Sequence, residues 1–118
     1  MELNEYQKQA MTTCMPSCNN FSYMALNLVG EVGELMGKVA KLIRKGEITI
    51  DNGKLCFGSG VSAEVIDALK DEGGDILWQL MCLFAVMGWD AESIAQRNLA
   101  KLRSRAERGV IVGNGDNR

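Results

Sequence analysis

Two long stretches of apolar residues at helical spacing, joined by a short alternating segment, constrain this chain more than anything else in it. From Ser22 to about Arg44, residues Met24, Leu28, Val32, Leu35, Val39 and Leu42 recur three and four apart; from Ser62 to about Met87, residues Val65, Leu69, Ile76, Leu80 and Leu83 keep a helical spacing of three, four and seven. The single proline, Pro16, precedes both stretches, so neither helix is interrupted. Between them, Ile48 and Ile50 on one side and Leu55 and Phe57 on the other flank Asp51-Asn52-Gly53, a hairpin signal. A shorter helix is expected from Leu3 to about Cys14 with Asn4 as its N-cap, followed by a loop over Met15 to Ser22. Ser62 is placed to cap the second long helix, and Asp90 a last one from about Ala91 to Arg108, which Gly109 ends. The tail from Val110 to Arg118 has no period; it is either mobile or folded over a site, with Asp116 and Arg118 as its candidates there. The expectation is an all-α fold in one domain, residues 1–118, with a four-helix core and a small β-hairpin insertion near residues 47–58.

The two long helices each carry a pair of carboxylates three residues apart, Glu31 with Glu34 and Glu72 with Asp75. Residues i and i+3 share a helix face. Packed side by side, the helices would bring four acidic groups together, and such a cluster repels itself unless a cation sits within it. An all-oxygen donor set favours a hard divalent ion, Mg²⁺ or Mn²⁺. Acidic pairs are common on solvated helix faces, and one alone would mean little. Glu72 is harder to read that way, because it borders the apolar stripe between Leu69 and Ile76 and is followed by Gly73 and Gly74. A charge there needs a partner to stay ionised. On the last helix Asn98, Lys101 and Arg105 share a face, opposite Ala95, Leu99 and Leu102.

Composition narrows the chemistry. With 13 basic and 15 acidic residues the net charge is −2, which does not suggest nucleic-acid binding. No apolar run is long enough for a membrane span, the stretch from Ile76 to Trp89 being the longest, and the first residues lack the pattern of a signal peptide. A cytoplasmic chain is expected. The chain has no histidine, which excludes Ser-His and Cys-His catalysis and the Glu-x-x-His di-iron bundle. Cys14, Cys18, Cys56 and Cys82 have no zinc-like spacing and read as reduced, small apolar side chains.

Gly30-Glu31-Val32-Gly33-Glu34-Leu35 and Asp71-Glu72-Gly73-Gly74-Asp75-Ile76-Leu77-Trp78-Gln79-Leu80 resemble the two halves of the MazG-type nucleotide pyrophosphohydrolase motif. Asn98-Leu99-Ala100-Lys101-Leu102-x-x-Arg105 resembles the element that follows it in that family, and the tail resembles a subgroup often met in phages and bacteria. Two departures stand out. Gly30 occupies a position where the family often has a further Glu, and the two acidic motifs lie further apart than in compact members, which fits a hairpin insertion.

The resemblance implies a MazG-like enzyme that hydrolyses a nucleoside triphosphate, ribo or deoxyribo, to the monophosphate and pyrophosphate. Carried over, Glu31, Glu34, Glu72 and Asp75 would hold Mg²⁺ (Mn²⁺ being an alternative), and a metal-activated water would attack. Glu34 or Glu31 would take that water's proton. Asn98, Lys101 and Arg105 would contact phosphates or sugar; Lys38 would either do so too or pair with Glu34 on the helix surface. Trp78, Trp89, Phe21 and Tyr23 are aromatic candidates for the base, with core packing the expected role. A small set of helices leaves apolar surface uncovered, and the family closes its core by association, so a homodimer or homotetramer is expected. Two other readings remain at this point. One is a phosphoribosyl-ATP pyrophosphohydrolase, and the other is a non-catalytic, metal-binding helical regulator.

Overall fold

The computed structural model describes residues 1–117; Arg118, one of the two tail candidates, lies outside the described residues. Four helices are present, α1 (Leu3–Met11), α2 (Phe21–Arg44), α3 (Ala63–Val86) and α4 (Ala91–Glu107), with a hairpin of β1 (Ile48–Asp51) and β2 (Lys54–Phe57) between α2 and α3. The expected all-α architecture with a small β insertion is the one observed.

The helix ends follow local chemistry. Ser62 Oγ accepts from the Val65 amide and an Asp90 carboxylate oxygen accepts from the Ser93 amide, as their positions before α3 and α4 foretold. Helix α2 starts one residue earlier than expected because Asn20 caps it, accepting from the Tyr23 amide. Two expectations for α1 need correction. It ends at Met11 rather than near Cys14, since Thr12 and Thr13 turn their hydroxyls back onto the Gln9 and Ala10 carbonyls. Asn4 lies inside α1 and serves another helix: its Oδ1 accepts from the Glu92 amide and its Nδ2 donates to Asp90. A 3₁₀ turn, Pro16–Cys18, fills the loop before α2. In the hairpin, Asp51 pairs with Lys54 across a two-residue turn in which Asn52 (φ 49°) and Gly53 (φ 73°) both adopt the left-handed conformation.

Helices α2 and α3 form the main packing pair, α1 lies across α3, and α4 meets α1. The junction of α1, α3 and α4 is held by Gln7, whose buried side chain donates to the Met81 and Trp89 carbonyls and accepts from the Ala91 amide. The core is small: Ala10, Met24 and Cys82 are buried together, with Tyr6, Met11, Cys14, Trp78, Leu83 and Val86 packed against them. Ile48 is buried, but the other apolar residues of the hairpin are exposed. The radius of gyration is 17.8 Å, well above the roughly 13–14 Å of a compact chain of this length. Among the described residues no helix is long and apolar enough to cross a membrane.

Candidate active site

The two acidic motifs meet where α2 packs on α3. Carboxylate oxygens of Glu31, Glu72 and Asp75 lie within 4.8 Å of one another. Glu31 is half-buried, Glu72 buried and Asp75 exposed, so the cluster opens from the helix pair toward solvent. Gly73 and Gly74 stand between the two α3 acids, and a methyl group at either would meet only open space.

Glu72 is held chiefly by Lys38, and the Glu34 carboxyl also approaches it. One of its oxygens accepts from Lys38 Nζ, while the other, Oε2, is buried and has no hydrogen-bond partner among the described residues. Lys38 therefore pairs with Glu72 across the helices rather than with Glu34 along its own helix. Its ammonium keeps the Glu72 carboxyl below the usual glutamate range, and the hydrogen bond to Glu72 in turn raises the lysine's own pKa. A buried carboxylate oxygen left unpartnered beside two further carboxylates is a donor set suited to a hard cation.

Glu34 stands at the rim. It is exposed and outside the converging set, yet the negative charges of Glu31 and then Glu72 raise its pKa. The four acids thus fall into three that converge and one beside them that holds its proton more readily.

Glu31 is oriented by a relay that motif reading alone does not reveal. Asn27, one turn earlier on α2, donates from Nδ2 to Glu31 Oε1 at 3.1 Å and to Gln79 Oε1 at 2.6 Å. Gln79 is fully buried and donates to the Met24 carbonyl at 3.3 Å. The i, i+4 spacing of Asn27 and Glu31 was the only sequence signal for this support.

The residues expected at the phosphates separate. Asn98 and Lys101 are exposed on α4 and line a groove of about 680 Å³ with Trp89, Asp90, Ile94 and Arg97. Arg105 is buried, with 4% of its surface exposed, and its Nη2 donates to the carbonyl and carboxylate of Asp116 in the tail. The tail thus covers Arg105 in this structure. Of the aromatic candidates, Trp78 is structural, its indole N–H donating to the Ala10 carbonyl and Thr13 hydroxyl at 3.0 Å each. Phe21, Tyr23 and Trp89 keep 57%, 37% and 50% of their surfaces exposed, contrary to core packing.

The model of the MazG nucleotide pyrophosphohydrolase domain matches residues 19–110. This chain belongs to that family. The match spans both acidic helices, the hairpin and α4. The chain is also 36% identical over 127 aligned residues to the Gene 37 protein of Mycobacterium phage L5, with all of both chains covered. No solved structure matches it. Family membership supports nucleotide pyrophosphohydrolase activity in general, and MazG enzymes are generally dependent on a divalent metal.

Proposed function

We propose that this protein hydrolyses nucleoside triphosphates to the monophosphate and pyrophosphate with Mg²⁺, Mn²⁺ being an alternative. The observation that carries the reading is the convergence of Glu31, Glu72 and Asp75 from two helices, with Glu72 Oε2 buried and without a hydrogen-bond partner among the described residues. These three residues are the proposed ligands, and Glu34 completes the acidic set at the rim. A divalent ion held there supplies positive charge to the polyphosphate and acidifies water.

The chain's own residues then divide the work. Glu34 takes the proton of the attacking water: it stands beside the three proposed ligands, and its exposure gives water access. Glu31 is the second candidate for that role, but its hydrogen bond from Asn27 suits a fixed ligand better. Lys38 neutralises Glu72 before substrate arrives and turns to a phosphate oxygen when the acids are otherwise occupied. Asn98 and Lys101 hold phosphate or sugar from α4. Arg105 reaches a phosphate only if the tail lifts off it.

The molecule acts as a homo-oligomer in this reading, dimer or tetramer. Support comes from its splayed shape and from the apolar side chains it leaves in water, with Leu26 76%, Val29 72% and Leu99 60% exposed.

The test is pyrophosphate release from a panel of ribo- and deoxyribonucleoside triphosphates with Mg²⁺, Mn²⁺ or EDTA. Metal-dependent release together with the matching monophosphate is expected, and Glu72→Ala should abolish it while helical content and assembly survive. Release that persists in EDTA, or none with any nucleotide, would sink the proposal.

A further inference from the structure

One turn beyond the acidic cluster, the seam between α2 and α3 opens into a second groove, of about 200 Å³. Leu42 on α2 and Val65 and Leu69 on α3 make its walls. Its rim carries Lys38, Lys41 and Lys45, which at i, i+3 and i+7 share one face of α2. Among the described residues no acid lines it. Lys38 belongs to both places, because it also pairs with Glu72. The groove and the acids are therefore continuous. Along α3, Leu69 precedes Glu72 by about 4.5 Å and Val65 by about 10 Å.

Two of the three ammonium groups serve nothing in the fold. Lys41 and Lys45 are exposed and make no ion pair among the described residues. A cation in the last turn of a helix eases its dipole, but Arg44, which does not line the groove, already supplies one there. Two unpaired cations in line beyond Lys38 suit an anion whose charges are spaced along a chain. The groove is smaller than the sites that enclose a whole small ligand, so it fits a part of one. Its apolar walls hold water back and strengthen each contact between charges.

We propose that this groove takes the terminal phosphates of the substrate, with Lys41 and Lys45 holding the pyrophosphate end beyond Lys38. The proposal rests on the pyrophosphohydrolase reading and gives the substrate a direction: the α-phosphate lies at the acids, and the phosphate chain runs along α2 toward Lys45. In the reaction the water oxygen bonds to the α-phosphorus. The bond from that phosphorus to the oxygen bridging the β-phosphate breaks. Pyrophosphate leaves with the electron pair, and the water's proton passes to Glu34. Negative charge therefore grows on the end that Lys41 and Lys45 hold. Because the two lysines meet phosphates alone, they select for the length of the phosphate chain and are indifferent to the base.

The experiment is calorimetric titration of the full chain with Mg²⁺. The ligands are α,β-methylene analogues of the four deoxynucleoside triphosphates, which cannot turn over, and the matching monophosphates. Wild type should bind a triphosphate analogue about tenfold or more tightly than its monophosphate. Lys41→Ala combined with Lys45→Ala should remove most of that advantage and leave monophosphate binding unchanged. The corresponding pair of Arg variants should keep it, and Lys8→Ala, on α1, should behave as wild type. Ala68→Phe fills the groove without removing a charge and should weaken the triphosphate alone. Circular dichroism establishes that each variant is folded; should one fail to fold, the other decides. Lysine and Phe variants that bind both ligands as wild type does would overturn the proposal, as would equal losses for triphosphate and monophosphate. Variants that alter sedimentation but not nucleotide binding would give the groove to a second copy of the chain and overturn it too. If the analogues bind as described but no pyrophosphate is released from any nucleotide in any metal, the hydrolase reading falls and the groove assignment stands. Metal-dependent turnover with an unchanged KM in these variants would overturn the groove assignment and leave the hydrolase reading standing.

Discussion

Asn27 Nδ2 donates to Gln79 Oε1 at 2.6 Å and so ties α2 to α3 at the level of Glu31. Because the same nitrogen also holds Glu31, the contact joins packing to chemistry. Supports of this kind usually change metal affinity by about 10–100-fold when removed. Asn27→Ala should therefore raise the Mg²⁺ concentration for half-maximal activity by about tenfold, with kcat at saturating metal much less affected. Titrating activity against Mg²⁺ checks this; an unchanged midpoint would show that Glu31 needs no such support. Gln79→Leu should act mainly on stability. It removes one hydrogen-bond partner from the Asn27 amide and one from the Met24 carbonyl, and the loss expected in urea unfolding is about 0.5–1.5 kcal/mol for each bond.

The Lys38–Glu72 pair makes a prediction about pH. The folded state lowers the Glu72 pKa from its ordinary 4.5, so that contribution is present above 4.5 and is lost as pH falls through the lower, folded value. It raises the Lys38 pKa from 10.5, so that contribution is present below 10.5 and is lost as pH rises through the higher, folded value. In EDTA, the Tm difference between wild type and Lys38→Met should be flat between those limits and shrink on either side. A difference that varies steadily across neutral pH would place the stabilisation elsewhere.

Much of this was legible in the chain itself. The helical rhythm from Met24 to Leu42 and from Val65 to Leu83, the caps Ser62 and Asp90, and the Asn52-Gly53 turn are local signals, and each stands where its residues put it. Tertiary partners were not legible. Asn4 looked like a cap for its own helix and serves α4, because a short polar side chain near one terminus can satisfy any neighbouring amide. Arg105 shares the spacing of Asn98 and Lys101, but the tail, which has no periodicity to read, folds back and covers it. Leu99 and Leu102 form an apolar face that the described residues leave largely open, 60% and 41% exposed. In the candidate site, the spacing showed which acids share a face. It did not show that three converge while Glu34 stands aside, since that depends on how α2 and α3 are rotated against each other.

The position of Glu34 separates two roles that motif reading assigns together. As a general base it should contribute about 10²–10⁴-fold to the rate. Glu34→Gln should then lower kcat by at least about 100-fold while leaving the Mg²⁺ midpoint within a factor of about three. A midpoint that moves more than kcat would make Glu34 a ligand instead. Glu31→Gln should show the opposite pattern, with metal affinity suffering first.

The exposed apolar face makes association a question of stability as well as of the site. Among the described residues six hydrophobic ones are buried (Ala10, Met24, Ile48, Met81, Cys82 and Ala91), while Phe21, Leu26, Val29 and Met36 along α2 keep more than half of their surfaces in water. So small a core gives a chain this long little to offset the entropy of ordering it. A second copy laid on α2, as proposed, would remove that apolar surface from water and supply what is missing. Folding and association would then be linked by mass action, and Tm should rise with protein concentration. Leu26→Glu combined with Val29→Glu puts two charges on the face that must become dry. The double variant should sediment as a monomer and melt at a lower temperature that no longer depends on concentration. A wild-type Tm that stays constant across a hundredfold range of concentration, with a monomer in sedimentation, would mean that the helices hold their shape unaided and that the face on α2 has another use.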